Sequence, residues 1–509
     1  MPPDAPAGGL GARAEEALAR LGDHVALVFD DVEHTAAALH ERAARLAGGL
    51  VRSGVGPGAC VVVCMTNCPE VLVVYAACWR AGAVPVPVMP SLTPVELAHV
   101  LDDSGAVLAV ASQRSLPLVA QAASSRAVRV AVVGERTAGA DLSLDELEIE
   151  PLAVVHRSDD DLAALLYTGG TTGRAKGVML THGGLDRTAR ARAQVFAESG
   201  ARDLLLALPL SHVYGLLNSV TRMHLPQPGR VVLQDRFDAA GWITLAEEHE
   251  PDAAALVPSM LQLLLRRPLE QADLASLRYV TTGGAPLPVP VREQFERRVP
   301  SARVCDGYGC TEVTSTATMN PYSAPRSGSV GLPLPGVELQ VVDDSGAPLL
   351  PWQDGEVCVR SPGVMAGYWS GGGRDDAATA AVVRDGWLHT GDVGHLDDDG
   401  YLYVVDRLKD VVIRGGFNVY PRDVEDVLLE HPAVVAAAVV GRPDELYGEE
   451  VVAFVQLSAP ATDDELLAFA AERLAAHKRP REVRVVDAVP LTSVGKTDRK
   501  ALRAAASAT

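Results

Sequence analysis

Between Tyr167 and Gly184 the chain reads YTGGTTGRAKGVMLTHGG. Thr168, Gly169, Gly170, Thr171, Thr172, Gly173 and Lys176 place hydroxyl donors and an ammonium on backbone that glycine leaves free to bend. Successive N–H groups in such a loop can cup an anion, and polyphosphate is the anion that needs this many donors at once. Two familiar phosphate loops do not fit. A Walker loop continues Gly-Lys-Ser/Thr, whereas Gly173 is followed by Arg174 and Lys176 by Gly177. Gly-x-Gly-x-x-Gly fails as well, because Gly169 and Gly170 are adjacent. A plain surface turn would account for the glycines but not for the threonines and Lys176 together.

The rest of the composition limits what such a loop can serve. At 509 residues the chain is too long for one ordinary core, so two or more domains are expected. Lys and Arg number 45 against 65 Asp and Glu, a formal charge of −20. Such a surface repels nucleic acid and anionic lipid, so neither is expected as a partner. Any anionic substrate has to be met by locally placed cations. Cys60, Cys64 and Cys68 have a spacing that invites a metal, but ACVVVCM reads as a buried strand in which cysteine packs as a small hydrophobe. Nothing demands disulfides, and the N-terminus lacks the basic start and apolar core of a signal peptide. Cytoplasmic is the expected location.

The elements that position the loop follow from periodicity. ACVVVCM, AVPVPVM, AVLAVAS and VRVAVVG read as strands, and PEVLVVYAACWRAG between the first two reads as a helix. After the loop come RDLLLALPL, GRVVLQD, DAAALVPS and LRYVTTGG, again strand-like. Alternation of this kind predicts an α/β fold with doubly wound parallel sheets. Near Pro325 the texture turns to short alternating strands rich in Gly and Pro, which predicts a small antiparallel barrel or sandwich. From about Asp410 a compact unit with its own helices and strands is expected.

Further motifs punctuate the chain. They are LPLSHVYGL (Leu208–Leu216), TTGGAPL (Thr281–Leu287), DGYGCTE (Asp306–Glu312), WLHTGDVG (Trp387–Gly394), DRLKD (Asp406–Asp410), RGGFNVYP (Arg414–Pro421) and PLTSVGKTDRKAL (Pro490–Leu502). In this order, and with the loop above, they resemble the adenylate-forming superfamily of acyl- and aryl-CoA ligases, luciferases and peptide-synthetase adenylation domains. The likeness runs from about Leu21 to Arg503. It implies a large N-terminal domain, residues 1–406, of doubly wound sheets plus a small β-barrel. A small mobile α+β C-terminal domain, residues 407–509, would follow a hinge at Lys409.

The resemblance also implies roles. The loop Thr168–Lys176 would hold the pyrophosphate of ATP, and Gly283, Gly284 and Ala285 would back the adenine. Asp306 and Tyr308 would belong to the nucleotide site, with Tyr308 stacked on the base. Thr311 would donate to the α-phosphate and Glu312 would hold Mg²⁺, a hard cation suited to carboxylate and phosphate oxygens. Asp392 and Arg407 would take the ribose. His212 would gate a pocket lined by Val213, Tyr214, Gly215, Leu216, Val257, Pro258 and Gly309. Lys496 would be the catalytic lysine. Gly415 and Gly416 would line the path of a pantetheine thiol.

The implied activity is that of an ATP-dependent acid–CoA ligase, with the acid activated as acyl-AMP and then passed to CoA. Val213 stands where amino-acid-activating relatives carry an aspartate, and Gln262 and Leu263 stand where malonate-using relatives carry an arginine. An uncharged pocket for an aryl, cinnamate-like or medium-chain acid is therefore expected. The same motifs would serve adenylation without CoA, either to load a carrier protein or to activate nitrite for diazotisation of an aromatic amine. A nucleotide-binding regulator without chemistry would not need Lys176, Glu312, Asp392 and Lys496 together.

Overall fold

A computed structural model describes residues 8–168, 174–491 and 497–507. The chain divides into two compact units, one of residues 1–339 and 359–388, the other of residues 340–358 and 389–509.

The first unit is built on two parallel sheets. One runs Val84–Pro87, Cys60–Cys64, Leu108–Ala111, Arg129–Val132 and Leu142–Ser143 in spatial order, every neighbour parallel. The other has nine strands, with Arg303–Tyr308, Tyr279–Thr282, Ala253–Leu256, Leu204–Leu206, Val231–Leu233 and Val25–Phe29 forming its parallel centre. All eight strand-like runs named above are strands, and PEVLVVYAACWRAG is the helix Pro69–Ala81.

Side-chain alternation explains the layering. Val61 and Val63 face one core, while Cys60, Val62 and Cys64 face another. Likewise Leu204, Leu206, Ala253 and Ala255 share the first core, and Leu205, Ala254 and Leu256 enter a third. The helices Ala36–Arg52, Pro69–Ala81, His182–Glu198 and Val213–Arg222 contribute to that shared core, so they lie between the sheets. With both faces covered, strands of nearly unbroken Val, Leu and Ala are what burial demands.

In the second unit, Val412–Arg414, Phe417–Val419, Val434–Asp444, Gly448–Leu457 and Glu482–Val485 form one sheet packed by the helices Pro421–Leu429 and Asp463–Arg473. The turn-rich stretch holds the strands Glu338–Val342, Gly355–Arg360, Trp387–Leu396 and Leu402–Arg407, and the division between units runs through it.

His182 opens the helix His182–Glu198, which follows the strand Lys176–Thr181, and is 1% exposed. Its Nδ1 accepts from the Leu10 amide at 3.1 Å, so the ring is neutral with its proton on Nε2. Burial pushes its pKa from 6.5 down to about 4, helped by the charge of Arg157. Above the unfolded value the group contributes nothing. As pH falls through the window between the two values, the unfolded chain binds a proton that the native ring refuses, and stability drops. Urea unfolding should show wild type losing about 2 kcal/mol more than His182→Gln on going from neutrality to about pH 5. Parallel pH slopes for the two proteins would count against a buried neutral ring.

Candidate active site

A parallel ladder aligns the carboxyl ends of neighbouring strands on one edge. Leu204–Leu206, Ala253–Leu256, Tyr279–Thr282 and Arg303–Tyr308 are consecutive neighbours, with Leu206 opposite Ala255, Leu256 opposite Thr282 and Thr282 opposite Asp306. The segments leaving these ends carry His212, then Val257 and Pro258, then Gly283–Ala285, then Gly309–Glu312. Four motifs far apart in sequence therefore meet at one sheet edge, the place where open α/β sheets bind ligands.

Each is held by local structure. His212 is the N-cap of helix Val213–Arg222, its Nδ1 accepting from the Tyr214 amide at 3.2 Å. The remaining ring proton is thereby assigned to Nε2. Val213 and Leu216 are 2% and 0% exposed and belong to the central core, and the Tyr214 hydroxyl donates to Thr281 Oγ1 at 3.0 Å. Val257 caps the helix Pro258–Leu265, whose proline fixes the first turn. Gly284 has φ +80°, and a Cβ there would meet only Val257 Cγ1 at 3.9 Å, so backbone is laid bare beside an opening. Gly309 is required by contact, since a Cβ would sit 2.0 Å from the Ser315 carbonyl oxygen. Asp306 is buried and accepts from the Gly307 amide, while Tyr308, Thr311 and Glu312 are half-buried at the edge.

The hairpin of strands Leu162–Thr168 and Lys176–Thr181 joins this edge. The two strands pair antiparallel with Thr168 opposite Lys176. Gly169, Gly170, Thr171, Thr172 and Gly173 lie outside the described residues. Lys176 Nζ lies 3.6 Å from Asp375 Oδ2 and 5.7 Å from the centre of the Tyr368 ring. The Tyr368 hydroxyl in turn donates to Glu312 Oε1 at 2.9 Å. Burial, and then the Glu312 charge, raise the Tyr368 pKa, so the phenol stays protonated and donating. One chain of contacts thus links the loop's cation to the site's carboxylate.

Sequence reading misses Tyr368 and Asp375 because they lie on a strand pair, Gly367–Ser370 and Gly373–Asp375, almost 200 positions from the loop they serve. It also misses Asp103. That carboxylate sits in the last turn of helix Pro94–Ser104, where the helix dipole disfavours it. Its oxygens accept from the Tyr167 hydroxyl at 2.6 Å and the Gly371 amide at 2.5 Å, and its carbonyl accepts from Trp369 Nε1. Asp103 therefore braces the hairpin base against the strand carrying Tyr368.

In the second unit Asp392 is buried and pairs across the ladder with Arg407, whose Nε lies 3.2 Å from Asp392 Oδ1. Lys409 is exposed within the single turn Leu408–Asp410. Next to it Asp410 is buried and held by Arg503 at 2.7 Å and Arg499 at 3.7 Å. Gly415 and Gly416, with φ +58° and +83°, form the two-residue turn between Arg414 and its partner Phe417. Two consecutive positive φ values call for glycine in a hairpin of this kind, so the turn alone explains both residue types. Lys496 lies outside the described residues.

The Asp103 brace is directly testable. Asp103→Ala should cost about 3 kcal/mol, the loss of two hydrogen bonds to a buried charge. Thermal unfolding should report that loss, and amide exchange should accelerate at Gly371 before the global transition. Wild-type stability with unchanged exchange would show that the hairpin needs no brace.

The chain matches the model of the AMP-binding enzyme family over residues 14–369 and that of the AMP-binding enzyme C-terminal domain over residues 423–496. It is 38% identical over 485 residues to a feruloyl-CoA synthase of Amycolatopsis sp, covering 94% of this chain and 95% of that one. It is 36% identical to 4-coumarate–CoA ligase 3 of Oryza sativa subsp. japonica, covering 92% and 87% of the two chains. Among solved structures it is similar to the amide bond synthetase McbA from Marinactinospora thermotolerans, with TM-score 0.89, 30% identity, and 98% and 100% of the two chains covered. With two family models in sequence and relatives matched nearly end to end, the chain belongs to the AMP-binding family of adenylate-forming enzymes.

Proposed function

We propose that this protein is an ATP-dependent acid–CoA ligase that joins an aryl or medium-chain carboxylic acid to CoA through an acyl-adenylate. The observation that carries the proposal is the convergence of four motif loops on one carboxyl edge, tied through Tyr368 to the lysine of the phosphate-loop hairpin. The feruloyl-CoA synthase and 4-coumarate–CoA ligase relatives support the acid class and the CoA acceptor.

In this reading the acid's carboxylate attacks the α-phosphorus of ATP and pyrophosphate leaves. Attack of one anion on another is slow unless charge is neutralised and the reactants are aligned. Lys176 and the loop Thr168–Gly173 hold the departing pyrophosphate, Thr311 donates to the α-phosphate, and Lys496 offsets charge on the pentavalent phosphorus. Asp392, with Arg407 beside it, accepts from the ribose hydroxyls. The exposed backbone of Gly284 and Ala285 receives the adenine, with Asp306 and Tyr308 completing that side. His212 borders the pocket formed by Val213–Leu216, Val257, Pro258 and Gly309.

Mg²⁺ fits the donor set, because Glu312 offers hard carboxylate oxygen, reaches the site surface and is already oriented by Tyr368. When bound, the ion acts as a Lewis acid on phosphate oxygens. In the second step the CoA thiol attacks the acyl carbon and AMP leaves. Lys496 and the thiol need the same side of the adenylate, so a rotation of residues 407–509 about Lys409 separates the steps. It brings Gly415 and Gly416 to the thiol's path. A cytoplasmic location belongs to the same proposal, and among the described residues no helix is long and apolar enough to cross a membrane.

A second reading keeps adenylation and changes the acceptor, to a carrier protein or to an amine or nitrite chemistry. Similarity to an amide bond synthetase supports this reading. AMP release from a panel of acids, with and without CoA, with an amine, and with nitrite plus an aminoarene, distinguishes the acceptors.

Lys496→Ala gives the sharpest test of the mechanism. Adenylate formation should fall by a few hundredfold or more, as when a charge placed at the transition state is removed, about 3–4 kcal/mol. The same variant supplied with acyl-adenylate and CoA should form thioester at a rate close to wild type. Equal impairment of both half-reactions would defeat the rotation.

A further inference from the structure

Arg192 sits on the helix His182–Glu198, inside the central core, and is 2% exposed. Its guanidinium carbon lies 5.0 Å from the centre of the Tyr214 ring. No carboxylate is ion-paired to it among the described residues; Tyr214 is its side-chain hydrogen-bond partner, and its Nη1 has none there. Burial lowers its pKa from 12.5, while the hydroxyls of Tyr214 and Tyr279 work in the opposite direction. A guanidinium keeps its charge through such a shift at neutral pH.

A buried cation with an unsatisfied N–H is costly, and an apolar side chain of similar volume would serve the core better. The placement of this one gives it a use. Tyr214 belongs to the segment that follows His212, and its own hydroxyl is turned toward Thr281, one residue before Thr282. The guanidinium therefore lies behind the segment Val213–Leu216, against the Tyr214 ring, on the face of the strand Tyr279–Thr282 that carries Tyr279 and Thr281. Tyr279, whose hydroxyl donates to Met319 Sδ at 3.2 Å, closes the other side with an aromatic wall.

We propose that Arg192 is the specificity-determining residue at the far end of the acid pocket, where it selects acids bearing an oxygen acceptor, best an anionic one, remote from the carboxylate that is activated. The inference rests on the reading of Val213–Leu216 and Val257 as the pocket, and it adds one cation to the pocket that Val213, Gln262 and Leu263 leave uncharged. Arg offers donors and no acceptor, so a distal carboxylate matches it best, a phenolic oxygen next, and a bare ring or alkyl end leaves it unpaired. Specificity of this kind is steep because the penalty falls on a buried group left without its partner.

The test compares kcat/KM for cinnamate, 4-hydroxycinnamate and 4-carboxycinnamate, and for hexanoate against adipate, in wild type, Arg192→Gln, Arg192→Met and Arg192→Lys. Two scaffolds keep the result independent of whether the pocket is shaped for a ring or a chain. Two acceptors on one ring separate carboxylate recognition from phenol recognition. Wild type should favour the acceptor-bearing member of a pair by about a hundredfold, and Arg192→Met and Arg192→Gln should each reduce that ratio at least tenfold. Arg192→Lys should retain part of the preference for the carboxylate. Calorimetric binding of the same acids in the presence of AMP should show the same order without turnover. Arg192→Met is expected to fold, since it replaces a buried charge that has no counter-charge with an apolar chain.

A wild type indifferent to the distal group, or variants that keep its preference, would overturn the proposal. Val257→Phe separates the two levels of argument. If it leaves the ranking of large and small acids unchanged, the pocket reading itself fails. If it shifts that ranking while the Arg192 variants do not alter the acceptor preference, only the role of Arg192 falls.

Discussion

The site depends on a single constraint: parallel strands in register end together. Leu206, Leu256, Thr282 and Tyr308 close four neighbouring strands, and the ladder leaves the chain no choice about where the next residues emerge. Each return to the sheet requires a crossover helix, and those helices make the layers that bury both faces of the strands. Catalytic geometry and core stability are therefore set by the same hydrogen-bond pattern. A register slip would turn alternate side chains from one core into the other and scatter the four loops.

On this frame the electrostatics are local. A chain carrying a formal charge of −20 would oppose a triphosphate if its field were uniform. Instead Lys176 is placed against Asp375 and the Tyr368 face, and Glu312 is held by a phenol rather than by a cation. A neutral donor orients the carboxylate without neutralising it. Asp375 keeps its other oxygen on the Ala378 amide at the start of a helix, which fixes the distance it holds from the lysine.

What could be read from the sequence divides along physical lines. Strands such as Cys60–Cys64 and Ala253–Leu256 were legible because burial on both faces writes a continuous apolar run. The loops were legible where chemistry dictates residue type at fixed spacing, as in Asp306–Glu312. Tyr368, Asp375, Asp103 and Arg192 were not, since each acts through a contact made only after distant segments pack. The Gly415–Gly416 pair shows the opposite case: its residue types are visible, but positive φ in a tight hairpin accounts for them as fully as a ligand path does. Gln262 and Leu263 lie on the helix Pro258–Leu265, whereas the buried guanidinium of Arg192 arrives on the helix His182–Glu198, which no local motif reveals.

The cap at His212 has a consequence of its own. With Nδ1 committed to the Tyr214 amide, the imidazole has a fixed polarity. Turning the ring over, or protonating Nδ1, would give up the bond that starts the helix Val213–Arg222. The orientation of His212 and the beginning of that helix therefore stand or fall together, so the ring is aimed by secondary structure rather than by its neighbours.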